Sequence, residues 1–142
     1  MLRQAMAVLA TAALFPAVAL GANATLYKSP TCGCCGLYVE YLEANGYSVD
    51  VRHPVDLGAV KARHGVAPEL ASCHTTLIDG YAFEGHVPLD AVERVLEQRP
   101  LVGGVSVPGM PTGVPGMGGP FQPPLQVFTL DGEVFATYFR LP

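Results

Sequence analysis

The stretch ATLYKSPTCGCCGLYVEYLEANGYSVDVRH, from Ala24 to His53, decides the reading of the fold. ATLYKS has the make-up of a short strand, and Ser29-Pro30-Thr31 breaks it. From Cys35 to Asn45 the apolar residues Leu37, Val39, Tyr41 and Leu42 predict a helix with one buried side, and Gly46 supplies its C-terminal stop. YSVDVRH then alternates apolar and polar residues, the period of a strand. Three of the chain's four cysteines, Cys32, Cys34 and Cys35, therefore fall where the first strand passes into the first helix.

Reading onward, PVDLGAVKARHG predicts a short helix with Asp56 near its start and Gly65 after it. HTTLIDGYAFEGHV predicts two strands joined at Asp79-Gly80, a strong hairpin signal. In PLDAVERVLEQR, Pro88 opens a helix, Asp90 and Glu93 favour its first turn and Arg99 its last. The order from Ala24 to Arg99 is β-α-β-α-β-β-α, an α/β pattern. With a cysteine motif directly after the first strand, it resembles the thioredoxin-like arrangement. After Pro100 the run LVGGVSVPGMPTGVPGMGGPFQPP, dense in Gly and Pro, argues against regular helix or sheet. LQVFTLDGEVFATYF predicts a second hairpin about Asp131-Gly132 that extends or covers a sheet edge. Residues 25–142 thus read as one domain, with 101–142 a loop plus an added hairpin.

Upstream lies MLRQAMAVLATAALFPAVALGANA, residues 1–24. Arg3 gives a short positive start, an uncharged run follows, and small residues stand at cleavage spacing, Ala19-x-Gly21 or Ala22-x-Ala24. The run is short for a membrane span and has no charged flank to stop transfer. It reads as a signal peptide cleaved near 21–24, which places the mature protein in an oxidising compartment without a membrane span. The whole chain has 142 residues, is 50% hydrophobic and only 14% charged, and carries a net charge of −4. With no basic patch and no tryptophan, nucleic acid is excluded as a partner.

Cys32 and Cys35 form a C-x-x-C pair at a helix N-terminus, where unpaired N–H groups favour thiolates for redox chemistry and metal binding alike. Cys34 separates the two. A dithiol exchange centre needs an attacking and a resolving sulfur, and a third thiol between them invites scrambling. Adjacent cysteines project divergently, which disfavours one tetrahedral zinc ion. Crowded thiolates suit bridging ligation of more than one soft ion, and Cu(I) fits best. Cys73, in ELASCHTT, precedes the third strand and falls at the same sheet edge as the motif, so it can face the other three. His53 and His86, at the ends of two strands parallel to the first, reach that edge as well, whereas His74 is expected on the other face of its strand. Met110 and Met117 sit in Pro-Gly-Met contexts and offer thioethers, soft ligands for Cu(I). Tyr27, Tyr38, Tyr41 and Phe83 read as core or half-buried residues. No phosphate-binding glycine loop and no nucleophile triad is present.

The motifs YKSPTCGCCGLYVEYLEANG, KARHGVAPELASCHT, GYAFEGHVP and VPGMPTGVPGM together resemble the DUF411 family, the CopG-type exported copper-resistance proteins. The resemblance implies a periplasmic, thioredoxin-like copper-binding protein whose metal ligands map onto Cys32, Cys34, Cys35 and Cys73. It also implies work beside another periplasmic copper protein or an exporter. Two expectations compete. One is a Cu(I)–thiolate site, multinuclear and open to redox change, completed by Met110, Met117, His86 or His53. The other is an enzyme, a thiol–disulfide oxidoreductase using Cys32 and Cys35. A structural zinc module is a third reading, in which loss of the ion unfolds the domain.

Overall fold

The computed structural model describes residues 22–142. The segment read as a leader lies, up to Gly21, outside the described residues. The elements are β1 (Asn23–Lys28), α1 (Gly33–Ala44), β2 (Ser48–Arg52), α2 (Leu57–Arg63), β3 (His74–Ile78), β4 (Tyr81–Glu84), α3 (Leu89–Gln98), β5 (Gly104–Ser106), β6 (Leu125–Thr129) and β7 (Val134–Tyr138), with a single 3-10 turn at Pro68–Leu70. The strands form one seven-stranded mixed sheet in the order β2-β1-β3-β4-β5-β6-β7. β2 runs parallel to β1, β3 antiparallel to it, and β4 antiparallel to β3. The ends of β1 and β4 and the start of β3 therefore meet at one edge.

Strand alternation divides the sheet into two faces. One carries His74, Thr76 and Ile78 of β3 and Phe83 of β4 toward α1 and α3. There Phe83, Ile78, Val87, Val92, Val95, Val105 and Val127 form the main core, and Leu26, Tyr38 and Leu42 a second cluster. The opposite face carries Thr75, Leu77, Ala82 and Glu84 toward α2. α1 and α3 are tied together at Tyr41, whose hydroxyl accepts from the Leu89 N–H at 3.0 Å. α2 begins at Asp56, whose carboxylate accepts from the Ala59 N–H at 2.9 Å and satisfies an otherwise unpaired donor.

Two expectations change. The buried stripe of α1 is Cys35, Tyr38 and Leu42, at the i, i+3, i+7 spacing of a helix face, while Leu37 stays 53% exposed. The helix begins two residues earlier than its apolar pattern, at Gly33, which places the cysteine motif inside its first turn. The Gly/Pro-rich run also contains a strand. β5 pairs parallel to β4 and antiparallel to β6, which pairs antiparallel to β7. With three residues, all of them buried, β5 has no alternation to display.

Candidate metal centre

The site is built at the shared edge. Cys32 is the N-cap of α1 and offers no side-chain cap, so its sulfur is free for other chemistry. Cys32 and Cys35 are joined as a disulfide, and Cys34 and Cys73 are free thiols. The Cys34 sulfur lies 3.5 Å from that of Cys32, and the Cys35 sulfur 3.8 Å from the Cys73 carbonyl oxygen. All four sulfurs lie within 4.8 Å of one another. Cys35 is buried, and the other three are partly exposed.

A second group of donors converges on Cys73. Its sulfur is 3.2 Å from His74 Nδ1 and 3.2 Å from His86 Nε2. His74 opens β3 on the face that meets α1, and Cys73 precedes the strand, so strand alternation does not separate the two side chains. Both rings pack against Tyr38, with centroids 4.7 and 5.3 Å from its ring, and stand edge to face with one another at 4.8 Å. The Tyr38 hydroxyl donates to the Val87 carbonyl at 2.7 Å, which fixes this aromatic floor. His86 Nδ1 donates to the Pro115 carbonyl at 2.6 Å, leaving the Nε2 lone pair directed at Cys73.

The loop residues that allow this approach are glycines with positive φ. At Gly116 an added Cβ would fall 2.9 Å from the Tyr38 nitrogen and 3.1 Å from His86 Nδ1. At Gly85 it would fall 2.5 Å from the Ser72 hydroxyl. The Gly/Pro-rich run thus lies over the site with its backbone close to His86.

Beneath Cys73, on the α2 face, lies a group that sequence reasoning missed. Glu84 is fully buried and accepts from Lys61 Nζ, from the Ser72 N–H at 2.7 Å and from the Thr75 hydroxyl at 2.5 Å. Burial raises the Glu84 carboxyl above the usual carboxylate range, and Lys61 opposes that shift. The bond to Ser72 fixes the backbone immediately before Cys73. The Ser72 hydroxyl donates to the Gly109 carbonyl at 2.5 Å and pins the loop to the same point. An alternating strand motif offers no signal for this carboxylate, because YAFE reads equally well with Glu84 facing water.

Electrostatics keep the buried half neutral. Burial pushes the Cys73 thiol up to about 11. Burial also lowers His74 well below its ordinary value, helped by the neighbouring His86, and lowers His86 against the Pro115 hydrogen bond. A soft or borderline cation must displace the Cys73 proton to bind. The remaining candidates lie elsewhere. His53 is exposed, with Nδ1 3.1 Å from the Lys28 carbonyl, outside both donor groups. Met110 is 51% exposed, and Met117 packs against the main core.

Residues 70–117 match the model of a family described as a protein of unknown function, DUF411. Two solved structures, of copper resistance protein CopG in forms 1 and 2, are each 41% identical, with a TM-score of 0.75 over 83% of this chain and 98% of theirs. The chain belongs to the CopG-type DUF411 family. No curated protein matches it. The family model starts at Leu70, the last residue of the 3-10 turn, and takes in Cys73, His74, His86 and the loop through Met117, but begins beyond the CGCC motif. The likeness to the CopG structures extends over most of the described residues.

Proposed function

We propose that the chain is an exported copper-binding protein of copper tolerance that holds Cu(I) through Cys32, Cys34, Cys35 and Cys73. The convergence of all four sulfurs within 4.8 Å carries the reading. Four thiolates this close can bridge several soft ions, which favours a multinuclear cluster over a single one. Because Cys32 and Cys35 are joined, four-thiolate loading first requires two electrons to open that bond, so copper binding and redox state are linked in this site. The loop over His86 favours completion of the site by this histidine, with Met110 and Met117 on the same loop and His53 more remote.

The parallel β1-α1-β2 unit, the antiparallel β3-β4 pair and a cysteine motif at the start of α1 support a thioredoxin-like core with β6 and β7 added. Periplasmic location follows from reading residues 1–24 as a signal peptide. Of the two cleavage positions, the one after Gly21 leaves β1 whole, while the one after Ala24 removes Asn23 and Ala24 from the strand. Among the described residues no helix is long and apolar enough to cross a membrane. Copper would pass to or from a periplasmic copper protein or an exporter.

The test is anaerobic Cu(I) loading of the fully reduced protein against a chromophoric chelator. More than one copper per chain is expected, with a lower ratio for Cys73→Ser. A Cys73→Ser protein holding as much copper as the wild type would remove Cys73 from the site. Weak single-ion binding would favour the second reading, a thiol–disulfide oxidoreductase. The Cys32–Cys35 disulfide supports that reading, which predicts catalysed disulfide reduction lost in Cys32→Ser and kept in Cys73→Ser.

A further inference from the structure

Cys73, His74 and His86 offer one sulfur and two imidazole nitrogens, a donor set different in kind from the four sulfurs. None of the three belongs to the Cys32–Cys35 disulfide, and all three converge while that bond is closed. We propose that they form a separate site for a single borderline divalent ion of the zinc class, available while Cys32 and Cys35 are joined as a disulfide. The inference does not depend on Cu(I) binding, although Cys73 belongs to both sites.

Three observations carry it. The first is spacing. A tetrahedral ion at about 2.3 Å from sulfur and about 2.0–2.1 Å from nitrogen sets its ligands roughly 3.5 Å apart. The two sulfur–nitrogen distances here are both 3.2 Å, so an ion fits after movements of a few tenths of an ångström. The second is orientation. Zinc-binding histidines commonly donate their other ring N–H to a carbonyl or carboxylate, which fixes the tautomer. His86 does so to Pro115, and its remaining lone pair meets Cys73. The third is His74. Its ring is wholly buried, its Nε2 has no hydrogen-bond partner among the described residues, and its Nδ1 faces the Cys73 sulfur. Buried polar groups are nearly always paired, and a thiol is a weak partner for an imidazole. Ligation through Nδ1 would give this buried ring a partner stronger than a thiol, while Nε2 lacks the outer hydrogen bond that His86 has.

The donor chemistry separates the two sites. Thiolate sets select Cu(I), whereas one thiolate with two imidazoles suits zinc and cobalt, with a fourth position left for water. The state of the Cys32–Cys35 pair then decides which class of ion the chain prefers. A divalent ion on Cys73 competes with Cu(I) for that sulfur.

Cobalt(II), added to the oxidised protein with its disulfide intact, is the probe. One Co(II) per chain should bind with a thiolate-to-cobalt charge-transfer band and intense tetrahedral visible bands, and Zn(II) should displace it. Cys73→Ser should abolish the charge-transfer band, His86→Gln should weaken binding by more than about tenfold, and Cys34→Ser should change neither. Zn(II) should also shift the side-chain nitrogen resonances of two histidines in the wild type, a readout independent of how the variants fold. Absence of the charge-transfer band in the wild type would overturn the proposal. So would a band that survives His86→Gln and vanishes in Cys34→Ser, which would place the ion between Cys34 and Cys73. Cu(I) loading of the same preparation after reduction keeps the two readings apart. If Cu(I) binds and Co(II) does not, the divalent site alone fails. If Co(II) binds and Cu(I) does not, the divalent site stands and the four-sulfur reading fails.

Discussion

The two halves of the candidate metal centre are made in opposite ways. Cys32, Cys34 and Cys35 come from four consecutive positions, and the first turn of α1 alone determines their spacing. Cys73, His74 and His86 come from the approach to β3, its first residue and the turn after β4. Atoms from distant segments hold them: Glu84 on the Ser72 N–H, Pro115 on His86, Tyr38 against both rings. In the locally built half only Cys35 reaches the core, so Cys32 and Cys34 can exchange ligands or electrons with little effect on the packing. A half assembled from tertiary contacts cannot move without disturbing the packing beneath it. The comparison predicts that substitutions in the two halves separate cleanly into large and small structural effects.

The largest effect is expected at Glu84. Glu84→Leu leaves the Lys61 ammonium, itself largely buried, without its counter-charge and with the neutral Thr75 hydroxyl beside it, and orphans the Ser72 N–H. Removing one partner of a buried ion pair typically costs about 3–5 kcal/mol, readable as a drop in the urea midpoint at neutral pH. Adding Lys61→Met should recover much of the loss, because the stranded charge is then gone. A loss in Glu84→Leu below about 1 kcal/mol would place this pair with exposed ones and end the claim that the buried half is rigidly supported.

Intermediate effects should follow from pH. His74 and His86 are both held below the ordinary histidine value by burial. As pH falls through about 6.5, the unfolded chain takes up protons that the folded chain refuses. Stability is therefore fully present above that pH and declines below it, by at most about 1.4 kcal/mol per pH unit for each histidine. Denaturation of the metal-free protein between pH 7.5 and 5.5 measures the slope, and His86→Gln should reduce it. A flat profile would mean that the rings meet more water than the packing allows.

How much of this was legible in the sequence follows the same division. The CGCC half could be read because its residues are contiguous and a helix start has known geometry. The approach of Cys73 followed from strand order, since β3 must begin where β1 ends. On α1 the expected buried side holds at Leu42 and Tyr38 and fails at Leu37, whose place Cys35 takes. Leu37 is more hydrophobic than Cys35, yet the i, i+3, i+7 stripe runs through Cys35, Tyr38 and Leu42. Glu84 was invisible because its partners lie in α2, β3 and the segment before it, and no local pattern distinguishes a buried carboxylate from a solvated one. Strand alternation puts His74 on the far face from Cys73. That rule does not reach Cys73, which stands outside the strand.

The smallest structural effect belongs to Cys34, and it gives the sharpest contrast. Its free thiol is partly exposed, 3.5 Å from the Cys32 sulfur and within 4.8 Å of the Cys35 and Cys73 sulfurs. Cys34→Ser removes one heavy soft atom and fills almost the same space, so stability should change by less than about 0.5 kcal/mol. Copper loading of the reduced protein should nevertheless fall, because a hydroxyl is a poor Cu(I) ligand and the bridging set loses a member. A large loss of stability in the metal-free variant would mean that the exposed half is also part of the scaffold. Unchanged copper loading would move the cluster onto Cys32, Cys35 and Cys73. A small change in stability with a clear loss of copper would identify Cys34 as a residue kept for its chemistry, on a helix turn that the rest of the fold leaves free to use it.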